Sequence, residues 1–196
     1  MKCALCEDKE CDSGKDCTKM KKEFLRKYAD KDLELLKTAA SIEADFYMKS
    51  TRLEELVQFS KRMKYERLGI AFCIGLQNEA KLIHKILEKN NFEVFLIICK
   101  VCGINKSYLK LKKLRGLDFE ATCNPVGQAI VLNNKNTDLN IIVGLCIGHD
   151  ILFTEHSTAP VTTLVVKDRV LAHNPLGVIY SDYHLKNLID SPEMIK

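Results

Sequence analysis

The chain has 196 residues, a net charge of +4, 46% hydrophobic and 29% charged residues, which sets it among globular chains and excludes a disordered or low-complexity one. So mild a positive charge gives no argument for nucleic acid or an anionic surface. No stretch approaches the ~18 apolar residues of a membrane span, and the opening MKCALCEDKECDSG has no apolar signal core, so the expected location is the cytoplasm.

Residues 1–17 are polar and cysteine-dense, and cannot build a core alone. Residues 18–67 read as a helical layer: Leu35, Ala39, Ile42 and Phe46 recur at helical spacing, as do Leu53, Leu56, Val57, Ser60 and Met63. Thr51 and Glu54 form a capping box between the two helices. From residue 68 onward short apolar runs alternate with helical segments. Strands are expected near 68–74, 94–99, 139–144 and 162–166, with helices over 77–89, 125–133 and from Pro175 to Ile189. Apolar strands alternating with helices predict an α/β fold, a mainly parallel open sheet of about four strands covered by helices on both faces. The expected organisation is a knuckle (1–17), a helical layer packed on the main domain (18–67) and an α/β domain (68–196).

Nine cysteines in a reducing compartment point to metal ligation or thiol chemistry rather than a disulfide framework. Cys3, Cys6, Cys11 and Cys17 are spaced C-x2-C-x4-C-x5-C. The C-x2-C step lets one tight turn supply two thiolates, and short loops add the others, so this knuckle is expected to bind a metal. Zinc and an iron–sulfur cluster both suit four thiolates, and the spacing matches neither ferredoxin pattern.

The remaining cysteines fall at strand ends. Cys73 closes the first strand, Cys102 follows the second in CKVCG, and Cys146 follows the third in GLCIGHD. Cys123 precedes Asn124-Pro125, a cap and first residue for a helix, where the positive helix end favours thiolate. The carboxyl ends of parallel strands share one crevice, so Cys73, Cys102, Cys123 and Cys146 are expected to meet there with His149 at the rim. Such a site would take a second iron–sulfur cluster, a zinc, or act as a thiol nucleophile. Cys99, at the end of VFLIIC, reads as core. His156 and His173 flank the fourth strand, and His84 and His184 fall on helices. Residues 106–115 (KSYLKLKKLR) carry five positive charges and one aromatic, which fits a solvated loop better than an RNA surface. Phosphate-loop, dinucleotide-binding and serine or zinc hydrolase motifs are absent.

The N-terminal cysteine knuckle, TCNPVGQA, TDLNIIVGLCIGHD and STAPVTTLVVKDRVLAHNP together resemble a family of uncharacterised prokaryotic proteins described only as metal-binding. By that resemblance Cys3, Cys6, Cys11 and Cys17 match the family's N-terminal cysteines, and Cys123 and Cys146 those of its later motifs. Two functions follow. One is a metal or iron–sulfur protein for redox or sulfur-transfer chemistry, with a small molecule or redox protein as partner. The other is a binding module with one structural zinc.

Overall fold

The computed structural model describes residues 1–190 and divides the chain into two units, Met1–Lys49 and Ser50–Lys196. The first holds a 3-10 turn at Cys3–Leu5, a short helix α1 (Lys21–Leu25) and α2 (Asp30–Phe46). Ile42 is the one buried side chain among residues 1–49, and residues 1–17 bury none. The helical layer expected over 18–67 is therefore divided: α3 (Arg52–Arg62) belongs to the second unit, where Leu53, Leu56 and Val57 pack into the core of the sheet. Its start is the capping box read from the sequence, with Thr51 Oγ1 accepting from Glu54 N–H at 3.4 Å and Glu54 Oε2 from Thr51 N–H at 2.7 Å.

The second unit continues through β1 (Arg67–Phe72), α4 (Gln77–Lys89), β2 (Glu93–Ile98), α5 (Pro125–Asn133), β3 (Leu139–Val143), α6 (His149–His156), β4 (Val161–Val165) and α7 (Asp182–Asp190). The four strands form one all-parallel sheet in the order β2-β1-β3-β4. This is the α/β fold expected, with strand limits within a residue or two of those read from the hydrophobic runs. The final helix differs. Pro175–Val178 is a 3-10 turn, and α7 starts afresh where the Ser181 carbonyl accepts from Leu185 N–H at 2.9 Å. Serine before an acidic residue favours a new helix start over continuation. Helix α6 has no counterpart in the periodicity, because Phe153 is its one buried residue.

Strand alternation sorts the core into two layers. Leu68, Ile70, Phe72, Leu139, Ile141 and Val143 face α3 and α4, whose Leu56, Ala80, Ile83 and Leu87 complete that cluster. Ala71, Cys73, Cys99 and Ile142 face α5 and α6, against Ala129, Leu132 and Phe153. The chain order reverses between β1 and β3, which puts the crevice of this open sheet over their carboxyl ends.

A polar chain pins the other end. Asn140, fully buried in β3, accepts from Thr137 Oγ1 at 2.8 Å and donates to Ser157 Oγ at 2.8 Å. Asp138 Oδ2 accepts the N–H groups of Glu66 and Arg67, both at 2.8 Å. Gly69 pairs with Asn140 across the ladder, and a side chain there would collide with Asn140 Oδ1 and Leu132. Gly69→Ala should therefore destabilise the protein by about 2–3 kcal/mol. The check is a lower urea midpoint at unchanged denaturant slope. An unchanged midpoint would mean that the pair yields without cost.

Candidate thiol centre at the carboxyl edge of the sheet

The backbone ladder sets two sulfurs side by side. Phe72 and Ile98 are partners in the β1–β2 register, and Cys99 N–H extends the pairing to Phe72 C=O at 2.9 Å. Cys73 and Cys99 follow those partners, so their side chains emerge together toward α5. Gln128 of α5 is fully buried and secures both strand ends, its amide donating to Ile97 C=O at 2.7 Å and Phe72 C=O at 3.3 Å.

Cys123 comes from the loop before α5, fixed by Asn124 N–H on Cys99 C=O at 2.8 Å. Asn124 is the cap expected, its Oδ1 accepting from Gly127 N–H at 2.8 Å with Pro125 as first helical residue. Cys73 and Cys99 lie in one buried cluster with Cys123 packed against it, and the protonation of each sulfur depends on its neighbours and, for Cys123, on His149. Ile74 N–H donates to Cys99 Sγ at 3.3 Å.

Two basic side chains reach in from beyond β4. Lys167 Nζ donates to Cys73 Sγ at 3.4 Å and Arg169 Nη2 to Cys146 Sγ at 2.9 Å. Gly144, at φ 67°, lets the loop after β3 cross directly over Leu76, where a side chain would collide. The carbonyl of Cys146 accepts the N–H groups of His149 and Asp150 at 2.9 and 3.1 Å, joining that cysteine to the start of α6.

These contacts separate the protonation of the three central sulfurs. The hydrogen bond to Cys99 is the first cause holding Cys73 near about 5, with the Gly75 N–H and Lys167 contributing against burial. The same bond to Cys99, then that to His149 and the charge of Lys100, hold Cys123 near about 3. Cys99 moves the opposite way, raised by its bonds to Cys123 and Cys73 and by burial, so it keeps its proton between two thiolates. His149 is raised by the Cys123 thiolate. Arg169 is raised by Cys146 first, and the charges of Cys73 and Cys123 also reach it.

Cys73, Cys123 and His149 are thus brought together, with Cys146 joined through Arg169. Cys102 is not drawn into this set; it is exposed, at φ 70°, on the turn Val101–Gly103. Cys99 is buried as expected, at 1% exposure, and is also the sulfur that connects the other two. Lys100, Lys167 and Arg169 were not anticipated from the sequence. Their signal was position, since each follows within a few residues of a parallel strand's carboxyl end. In the basic stretch, Lys106 pairs with Glu120, whose carboxylate also accepts Leu114 and Arg115 N–H groups, so part of its charge closes the loop. His173 accepts Asp168 N–H at 3.2 Å, and His84 lies 3.2 Å from Glu88.

The four N-terminal cysteines are all exposed. Cys6 N–H bonds to Cys3 C=O at 3.1 Å, so those two share one turn, and Gly14 N–H bonds to Cys11 C=O at 3.1 Å. Among the described residues, no group of three or more His, Cys, Asp or Glu side chains is arranged to hold a single metal ion. No helix among them is long and apolar enough to cross a membrane.

The class defined by this fold and site is a parallel α/β protein with a cation-ringed thiol centre at its topological switch. The chain belongs to the family described as a protein of unknown function, DUF1847, which matches residues 11–164. It is 55% identical over 192 residues to uncharacterized protein MJ0455 of Methanocaldococcus jannaschii, spanning 97% of this chain and 99% of that relative. The resemblance drawn from the motifs is borne out as membership of an uncharacterised prokaryotic family. Among solved structures it is similar to Dph2 from Pyrococcus horikoshii with a 4Fe-4S cluster, at 19% identity and a TM-score of 0.40. That alignment covers 75% of this chain and 34% of the Dph2 chain, about a third of its length.

Thiolate chemistry at this centre has a pH signature. An ordinary thiol loses its reactive form below about 8.5. Cys123, the more accessible of the two thiolates, should alkylate in metal-free protein down to about pH 3, where protonation removes the nucleophile. His149→Ala removes a hydrogen bond that favours the thiolate, so the profile should move to higher pH. The measurement is the rate of iodoacetamide labelling at the Cys123 peptide against pH. A Cys123 midpoint in the ordinary thiol range would refute the assignment.

Proposed function

We propose that this is a metal-binding thiol protein of the cytoplasm whose crevice holds an iron–sulfur cluster through Cys73, Cys123 and Cys146. The observation that carries this reading is Arg169: a cation already sits against one of these sulfurs, within electrostatic reach of the other two. The donor set fits. Three sulfurs come from three separate elements, two are held deprotonated as a ligand thiol must be, and Lys167 and His149 donate to them. When bound, a cluster of this kind supplies electron transfer or an iron open to a sulfur-bearing substrate. The chain's own residues would tune it: hydrogen bonds to ligand sulfurs and neighbouring positive charge stabilise the reduced form. The expected partner is a redox protein or a small thiophilic molecule.

Anaerobic reconstitution with iron and sulfide should give a brown protein. Cys73→Ser, Cys123→Ser and Cys146→Ser should each lower chromophore uptake several-fold, while Cys102→Ser should not. Uptake unaffected by all three crevice variants would sink this reading.

A second site is proposed at Cys3, Cys6, Cys11 and Cys17, as a structural zinc. It is favoured by the shared turn of Cys3 and Cys6 and by the lack of any core in residues 1–17. Four thiolates repel one another until an ion neutralises them, so gathering and binding are one event. The variant Cys3→Ser, Cys6→Ser should lose about one equivalent of zinc per chain relative to wild type. Equal metal content would count against it.

A further inference from the structure

Cys99 has no part in the cluster reading, yet it shares one buried cluster with Cys73, and Cys123 packs against that cluster. Its neighbour in the ladder is Cys73, the residue after Phe72, to which Cys99 itself is bonded through the backbone at 2.9 Å. Adjacent strands lie about 4.8 Å apart. A disulfide accepts Cα separations of roughly 4.4–6.8 Å, so in-register neighbours on one face can be joined without moving the strands. Both side chains belong to the same buried cluster, with Cys123 packed against it. Exposure is graded along the three: Cys123 is half-buried, Cys73 is 8% exposed and Cys99 is 1% exposed. Such a line has one thiol that a substrate can reach and a second, concealed thiol in the cluster against which it packs.

We propose that Cys123, Cys99 and Cys73 form a thiol–disulfide exchange line that reduces a small, acid-bearing disulfide, with Cys123 as attacking thiol and Cys99 as resolving thiol. Small size follows from the setting of Cys123, the attacking sulfur, which is half-buried and packed against the core cluster. The acid groups follow from the cations at the mouth, namely Lys100, His149, Lys167 and Arg169. The steps balance as follows. The Cys123 sulfur attacks one sulfur of the substrate RSSR, forming a mixed disulfide and expelling RS⁻. Cys99 then attacks the Cys123 sulfur, and its proton passes out with the second RS⁻ as RSH. Two protein thiols have become a Cys99–Cys123 disulfide, and RSSR has become two thiols. Cys73 can next attack Cys99, transferring the bond to the Cys73–Cys99 pair and freeing Cys123. An external dithiol restores the reduced line.

This activity does not depend on the cluster reading, since it uses metal-free protein and turns on Cys99. The test takes the full chain, stripped with a chelator and reduced, and exposes it to oxidised glutathione as the probe at no more than one equivalent per chain, so that a freed Cys123 meets no second molecule. Peptide mass mapping then follows each cysteine. Wild type should show an internal disulfide containing Cys99 and no lasting glutathione on Cys123. Cys99→Ser should accumulate the Cys123 adduct at least about tenfold above wild type, because the resolving step is gone. Adducts on Cys3, Cys6, Cys11 or Cys17 lie on other peptides and do not enter the comparison. Equal adduct on Cys123 in both proteins, or a free Cys99 thiol beside a glutathionylated Cys123 in wild type, would overturn the proposal. If Cys99→Ser does not fold, the wild-type map decides by itself: an internal disulfide at Cys99 supports the line and its absence refutes it. Loss of cluster uptake in the crevice variants leaves this result untouched, so the two readings fail separately.

Discussion

The thiol centre depends on the parallel pairing of β1 with β2, carried one residue beyond the last strand pair by the Cys99 N–H on Phe72 C=O. Parallel strands in register present equivalent positions at equivalent heights, so two cysteines that follow paired residues must leave the sheet together. Gln128 reinforces this by bonding to carbonyls of both strands from the helix above. Without that register, Cys73 and Cys99 would be two small apolar residues in one core, and Cys123 would have no sulfur to lean on.

The chemistry adds a second constraint. Three sulfurs sharing one crevice do not all ionise, because like charges close together raise one another's cost. The arrangement resolves this by position. The most buried sulfur keeps its proton and serves as donor, while the outer two face Lys167 and His149. Arg169 extends the same pattern to Cys146. The cations come from beyond β4, from the start of α6 and, as Lys100, from just after β2, so the electrostatics of the centre join loops that follow three different strands.

Much of this was legible in the chain. The runs LGIAFCI, VFLIIC, LNIIVG and TTLVV declared the strands, and Asn124-Pro125 declared the start of α5 beside Cys123. Parallel topology then sent Cys73, Cys123 and His149 to one edge. Cys99 was harder, because a buried cysteine after five apolar residues looks the same whether it packs or reacts, and only the neighbouring strand's register separates the two. Lys167 and Arg169 were hidden for another reason: their reach across the edge depends on the order of strands in space, which no local pattern encodes. Helix α6 escaped because one buried phenylalanine leaves no periodicity. The division of the helical layer falls between α2 and α3, and spacing alone is silent on where a unit begins.

The polar chain through Thr137, Asn140 and Ser157 has a consequence for how the sulfurs keep their places. It lies at the amino end of β3, away from the chemistry, and greasy strands offer little else to tell one alignment from the next. A shift of β3 by a single residue would swap its faces and strand a buried amide in hydrocarbon. That misalignment would travel undiminished along the strand, roughly 16 Å for five residues, and carry the Cys146 loop out of step with β1. Asn140 therefore acts as a detent: it makes the sheet click into one setting, so that the loops at the far edge can change their residues without losing the aim of the sulfurs.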